Sequence, residues 1–416
     1  MTDLACIGAP LPLSTTPFPM SRTEFVALLA MMIACVAFSI DAMLPALPQI
    51  AEELTPDAPH RAPLILSMFL LGMGIGTFFT GPLSDAFGRK PVIIGASILF
   101  IVGAGIAWAS QTLEVVLVGR ILQGLGAAGP RVVANAIARD RYSGRQMAQV
   151  MSVVMMIFVL VPAVAPLLGS FIIGWSNWRG IFIAYICFAL IYSTWMMVRL
   201  PETLPRENRR LMRLGLMFSA VAEMVAHPVV RLSIFVQMLV SAMLFLTLML
   251  VQPIYDVVYA RGDEFPFWFF GIAIIAGSAS LLNALVVVRF GMQRLVTLAL
   301  TAQIVISGCF LVLNLTSGAY GFYFFLFWQT TIFFQAGLTI GNLNALAMEP
   351  MGHIAGMAAS VIGAISTIGA VLISGPIGTV FQGDVRLLTS SVLVLAVISV
   401  ACMLAMRRVA RRRAPA

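Results

Sequence analysis

Charge is what this sequence has least of. Asp, Glu, Lys and Arg make up 10% of its 416 residues, against about 25% in an average soluble domain. Lysine is almost missing, with Lys90 alone, and histidine occurs three times. Hydrophobic residues make up 60%, and the mean hydropathy is +1.00. A water-soluble fold cannot hide that much apolar surface, because part of any globule faces solvent. A soluble enzyme and a disordered chain are thereby excluded. Disulfide frameworks are excluded too. Of five cysteines, Cys35, Cys187, Cys309 and Cys402 fall inside apolar runs, where they read as small packing residues, and Cys6 lies near the start. No H-E-x-x-H, G-x-S-x-G or Walker A sequence occurs, so no metal centre, hydrolase elbow or nucleotide motor is expected, and no cofactor. His60, His227 and His353 are far apart, near the ends of apolar runs.

What remains is an all-α membrane protein. A membrane-crossing helix needs about 20 apolar residues. Twelve such runs start near Glu24, Pro63, Pro91, Val115, Val150, Gly180, Val229, Phe267, Gln293, Ala319, Ile354 and Leu387. They are continuously apolar, whereas barrel strands would alternate over about ten residues. Residues 1–22 are rich in Pro, Ser and Thr and lack a basic region with a cleavage site, so no cleavable signal is expected.

The net charge of +8 invites a nucleic-acid reading, but the layout argues against it. With both termini inside, 19 of the 25 basic residues fall in segments on the inner side, from Arg22 to the Arg407–Arg413 cluster. Four fall opposite: Arg61, Arg179, Arg261 and Arg386. Such asymmetry is the positive-inside pattern. It predicts a multi-pass membrane protein with cytoplasmic termini, and no nucleic-acid partner. The last two basic residues, Arg120 and Arg131, lie within a span.

The longest polar link, 201–228, divides six spans from six. Leu211, Met212, Leu214, Met217 and Phe218 interrupt its arginines, which predicts an amphipathic helix on the inner leaflet. The domains are then 1–23, an inner tail; 24–200, six helices; 201–228, the linker; 229–406, six helices; and 407–416, a basic tail. The halves echo each other. Phe87-Gly88-Arg89 is answered by Phe290-Gly291, 203 residues later, and Pro166-Leu167-Leu168-Gly169 by Pro376-Ile377-Gly378. Duplication around a midplane site is a common transporter plan.

Several motifs carry a family likeness. Gly81-Pro82-Leu83-Ser84-Asp85-Ala86-Phe87-Gly88-Arg89-Lys90 resembles the loop motif of the major facilitator superfamily. Ser39-Ile40-Asp41-Ala42-Met43-Leu44-Pro45-Ala46-Leu47-Pro48 and Arg120-Ile121-Leu122-Gln123-Gly124 resemble the first- and fourth-helix signatures of its Bcr/CflA drug–proton antiporters. Trp178–Phe182, Leu200–Leu204 and Ala355–Ser360 fit the same subfamily. In span five, Pro162, Pro166, Gly169 and Ser170 resemble its antiporter motif, with Ser where the final Gly is usual and an earlier Gly missing. The resemblance implies the twelve-helix major facilitator fold, two pseudo-symmetric six-helix bundles. It also implies proton-coupled export of small amphipathic molecules across a bacterial inner membrane, as multidrug efflux; a narrower version, export of one anionic metabolite or siderophore, is motivated by Arg131. The expected partners are a small-molecule substrate, protons and the bilayer. The fold requires no second subunit, so a monomer is expected. A proton symporter importing a nutrient, and a non-transporting sensor of the same fold, are the alternatives.

The candidate residues follow. Asp41 lies about five residues from the outer end of span one, roughly 7 Å deep, where a carboxylate is costly unless paired or hydrated. Arg120 enters span four to a similar depth. The two read as facing charges across a central cavity with Gln123, coupling a proton to cargo; a structural ion pair is the alternative. Arg131 departs from the family pattern, which has small or uncharged residues there. Eleven residues bring it back to the face of Arg120 and Gly124, roughly 16 Å deeper. On a cavity wall it would favour anionic cargo. Otherwise it snorkels to the inner interface or bonds backbone carbonyls.

The resemblance gives Gly81, Asp85, Gly88, Arg89 and Lys90 a gating role. Asp85 can serve a helix N-terminus or pair with Arg89 and bridge the halves; as topology anchors, Arg89 and Lys90 would do neither. Gly124-Leu125-Gly126-Ala127-Ala128-Gly129 matches G-x-G-x-x-G, but lies within a span and reads as close helix packing. The second half offers polar groups without buried acids: Gln237, Gln252, Asn283, Gln329, Gln335, Asn342 and Asn344.

Overall fold

A computed structural model describes residues 19–209, 214–315, 318 and 320–413. Cys6, most of the N-terminal tail, Arg210 to Arg213 with Leu211 and Met212, and Ala319 lie outside the described residues, as do the side chains of Leu214 and of Arg411 to Arg413.

The first half contains α1 (Arg22–Asp41), α2 (Leu47–Leu54), α3 (Leu64–Phe87), α4 (Arg89–Ala109), α5 (Leu113–Arg141), α6 (Gly144–Trp175) and α7 (Trp178–Arg199). The linker carries α8 (Leu214–Ala226). The second half contains α9 (Pro228–Pro253), α10 (Phe265–Phe290), α11 (Met292–Val312), α12 (Gly321–Met348), α13 (Ala355–Gly378) and α14 (Val385–Arg413). Twelve of these helices are long, six in each half. Ten segments are apolar and long enough to cross a membrane, and one of them, Gly321–Gly378, holds both α12 and α13. The twelfth long helix, α5, is more polar because it carries Arg120, Gln123 and Arg131. The start of α1, the linker and the end of α14 share one face of the bundle, where Arg199 meets Glu24 and Ser233 meets Met406; it is here called the basic side.

The first crossing departs from expectation. Asp41 is not near the end of an unbroken span. It ends α1, and the chain continues through a 3-10 turn, Leu44–Ala46, into α2. Pro45 and Pro48 stand in the first turns of these pieces. Proline has no N–H and cannot continue the α1 ladder, but it is tolerated in a first turn. Asp41 therefore lies at a helix break deep in the bundle. At the other terminus, α14 continues to Arg413, so the backbone of the basic tail is helical.

The internal repeat is visible in the backbone. Gly88 joins α3 to α4 with φ 101° and ψ 162°. Gly291 joins α10 to α11 with φ 77° and ψ 150°. Both positions need positive φ, which glycine alone adopts without strain. The second echo holds in packing. Gly169 on α6 meets the Ala42 carbonyl at the end of α1, and Gly378 on α13 meets Met249 and Leu246 on α9.

Within the first half, small residues let backbones touch. Gly72 and Gly76 of α3 face Ile121 and Leu125 of α5, and Gly124 faces Phe69 and Met73. Gly126 packs on Ala96 and Phe100 of α4. The glycine series in α5 is thus a packing surface. Gly126→Val is expected to cost about 1–3 kcal/mol by overpacking, seen as earlier thermal unfolding in detergent. Unchanged unfolding would mean that α4 and α5 part freely there.

The halves meet along α3 and α13, along α6 and α10, and at α9 with the α1–α2 segment. At the side opposite the basic one, the Ser67 hydroxyl donates to Met249 Sδ at 3.0 Å, with Met43, Leu44, Ala46 and Leu47 buried around it. The linker helix α8 buries Met217, Ala220 and Met224, three positions of one helical face. That face packs on α9 and α13, and His353 joins Glu223 at 2.8 Å. The amphipathic helix expected in the linker therefore spends its apolar face on the second half. Phe218, 65% exposed, points outward.

Candidate substrate and proton site

When α1 stops at Asp41, its last carbonyls lose their intrahelical donors. The Ser39 carbonyl is one of them. It accepts from Arg120 Nη2 at 3.0 Å and from the Tyr185 hydroxyl at 3.2 Å. Arg120 Nε donates to the Ile65 carbonyl of α3 at 3.2 Å, and Nη1 to Gln123 Oε1 at 2.7 Å. The guanidinium also stands 4.3 Å from the Phe69 ring centroid. Arg120 is fully buried, and it ties α1, α3 and α5 together.

This corrects the picture of two facing charges. No ion pair joins Asp41 to Arg120. The guanidinium is occupied by two backbone carbonyls and the Gln123 amide oxygen, and it reaches Asp41 only through the backbone two residues away. Gln123 is corrected too. It is fully buried on the side that packs against Gly103 of α4, and its Oε1 serves Arg120. Asp41 is 5% exposed, and among the described residues no hydrogen bond or ion pair reaches its carboxyl. The next residue, Ala42, offers its carbonyl face to Gly169 of α6. The helix carrying Pro162, Pro166 and Gly169 therefore abuts the break beside Asp41. Neither proline interrupts α6.

Arg131 has a different environment. It is partly exposed. Its Nη1 lies 3.4 Å from Met73 Sδ, and among the described residues no carboxylate or carbonyl accepts from it. Side chains on a helix lean toward its N-terminus, and α5 starts at the side opposite the basic one. The guanidinium accordingly reaches back to mid-α3, away from the interface to which it would snorkel. The same face of α5 changes along its length. Ile121, Gly124, Leu125 and Ala128 lie against α3. One to three turns onward it presents Val132, Asn135 and Arg139, partly or fully exposed. This stretch of α5, toward the basic side, is therefore not covered by its neighbours.

At that side the loop motif closes on its own half. Arg89 Nη1 meets Asp85 at 2.6 Å and Ser84 at 2.7 Å, and its Nε meets Asp140 at 2.9 Å. Glu202 accepts from the backbone N–H groups of Arg89 and Lys90 at 2.9 and 3.1 Å. The helix N-terminus role expected for Asp85 thus falls to Glu202. Lys90 Nζ reaches the Met197 carbonyl. Asp85 does not bridge the halves; Gly81 does, by packing on Ser360 of α13. Glu202→Ala is expected to uncap α4 at a cost of about 1 kcal/mol. Faster proteolysis between α7 and α8 reads it, and wild-type resistance would contradict the cap.

Sequence reasoning missed Tyr185, Phe69, Met73, Asp140 and Glu202. Glu202 carried a signal, since Leu200–Leu204 fitted the family, but without a role. In the second half, Tyr255 donates to Gln329 at 3.0 Å and Asn342 to Asn283 at 2.6 Å. Gln237, Gln252, Gln329 and Gln335 each hold a buried amide atom without a protein partner.

The Major Facilitator Superfamily model matches residues 29–374. A bicyclomycin resistance protein homolog of Haemophilus influenzae is 30% identical over 349 residues, 80% of this chain and 84% of that one. The multidrug resistance protein MdtL of Salmonella heidelberg is 30% identical over 341 residues, 80% and 82% of the two chains. Among solved structures, a D-xylose-proton symporter superposes with a TM-score of 0.73 at 16% identity, covering 93% of this chain and 97% of that one. The chain belongs to the major facilitator superfamily and is a multi-pass membrane transporter, not an enzyme.

Proposed function

We propose that the protein exports small amphipathic molecules from a bacterial cytoplasm across the inner membrane in exchange for protons. The observation that carries this reading is Asp41, a carboxyl with no protein partner at a helix break between α1 and α6. A group so placed can hold a proton when cargo is absent and release it when cargo arrives. The basic side is cytoplasmic on charge grounds, and both termini lie there. The exposed stretch of α5 from Val132 to Arg139 lies toward that side, while Met249 and Ser67 close the other. Alternating access then requires the halves to rock about the α3–α13 and α6–α10 contacts. Arg120 holds the break in shape. The Arg89 cluster with Asp85, Asp140 and Glu202 keeps the gating loop rigid, and in the opposite state Asp85 is free to meet the N-terminus of α13. The named functions of the two drug-resistance relatives support export over import.

Everted vesicles with an acid interior test the direction. A pH dye should report proton release when cargo from a panel of anionic, zwitterionic and cationic compounds is added. Protons moving in the same direction as cargo would make the protein a symporter and overturn the proposal.

A further inference from the structure

The interior of the bundle carries two guanidinium groups and one carboxyl, Arg120, Arg131 and Asp41. The charge of Arg120 is met by carbonyl dipoles, an amide oxygen and an aromatic face. That of Arg131 is met by one thioether, a weak acceptor. A guanidinium has five N–H donors in a planar fork, and most of this fork is unspent. It is also reachable, because Arg131 is partly exposed. A charge inside a membrane bundle is costly without a counter-charge. The second half supplies no interior acid: α9 to α14 contain no Asp or Glu at all. It does supply neutral acceptors without partners, the buried Oε1 atoms of Gln237 and Gln335 and the hydroxyl of Ser366.

From this arrangement we infer that Arg131 is the subsite for an anionic group of the cargo, a carboxylate or phosphate on an otherwise apolar molecule. The inference rests on the transport reading and narrows its substrate class. Met73, buried beside the guanidinium, holds the fork in place without neutralising it. Gly74, its neighbour on α3, packs on Thr367 and Ile368 of α13. The subsite thus lies beside a contact between the halves, where cargo charge bears on the rocking motion.

The test uses the full chain, purified in neutral maltoside micelles, and two matched probes. Dansylglycine and dansylglycinamide differ in a carboxylate against a carboxamide. Titration calorimetry should show the carboxylate bound at least about tenfold more tightly, the worth of one charge-assisted pair. Arg131→Ala should bring the ratio close to one by weakening dansylglycine alone, and Arg131→Lys should restore part of it. Both variants should unfold close to the wild-type temperature, since the only protein acceptor to lose its donor among the described residues is the weak Met73 thioether. A wild-type ratio near one, or an Arg131→Ala ratio equal to wild type, overturns the inference. So does a ratio that appears only when chloride is removed, which would assign the fork to an inorganic ion. Selective binding lost in Arg131→Ala, without proton release in acid-interior vesicles, would leave the subsite standing and remove the export reading.

Discussion

Asp41→Asn is expected to abolish accumulation driven by a pH gradient while leaving cargo exchange intact. Asn stands in for a protonated Asp and cannot release a proton, so the variant binds cargo only as weakly as the protonated wild type does, and exchange is read at cargo concentrations that fill this weakened site. Because no described residue bonds the Asp41 carboxyl, the substitution breaks no contact and should not disturb folding. In reconstituted liposomes, uphill transport should fall to the level of empty liposomes. Counterflow of labelled against unlabelled cargo should persist. The pH dependence follows from competition. If proton and cargo exclude each other, cargo affinity rises with pH in the wild type, since the site is freed as protons leave. In Asp41→Asn it becomes independent of pH. Loss of counterflow together with uphill transport would make Asp41 a structural residue.

Arg120→Ala is expected to act on stability first. It removes the donor to Gln123 and one of two donors to Ser39, and it empties the space of a fully buried side chain, while the Ile65 carbonyl keeps its bond within α3. Each buried acceptor left unpaired costs about 1–3 kcal/mol, so a loss of roughly 2–5 kcal/mol is expected. Thermal unfolding in detergent should move sharply downward, and less folded protein should reach the membrane. Arg120→Lys keeps the charge but not the fork, so it should lose most of the same stability. If Arg120→Ala unfolds like wild type yet loses cargo binding, Arg120 is a binding residue. This sets it against Arg131, whose removal should leave unfolding close to that of wild type.

The two arginines show what the sequence could and could not disclose. Both were legible as span-embedded charges, and eleven-residue spacing placed them on one face of α5. Their partners were not legible. Arg120 is satisfied by carbonyls of Ser39 and Ile65, and a backbone carbonyl leaves no mark in residue identity. Its availability depends on α1 stopping at Asp41. Pro45 and Pro48 announced a break within the first-helix signature, but a hydropathy run reads through it. That is why the depth of Asp41 was underestimated. Eleven of the twelve long helices were legible because they are apolar over a membrane-spanning length, and α5 because its apolar run is interrupted by few charges. The duplicated halves were legible at Gly88 and Gly291 because positive φ holds both positions to glycine. Asp140 and Glu202 were hidden for another reason. They meet Arg89 from 51 and 113 residues away, a pairing that no local pattern encodes.

The central claim is that one carboxyl exchanges a proton for cargo. Proton release on cargo binding, measured with purified protein in weakly buffered detergent solution, tests it most directly. The account predicts that a cargo identified in the vesicle panel releases protons from the wild type and none from Asp41→Asn, which still binds it. Release undiminished in Asp41→Asn, or binding to the wild type without release, would contradict it.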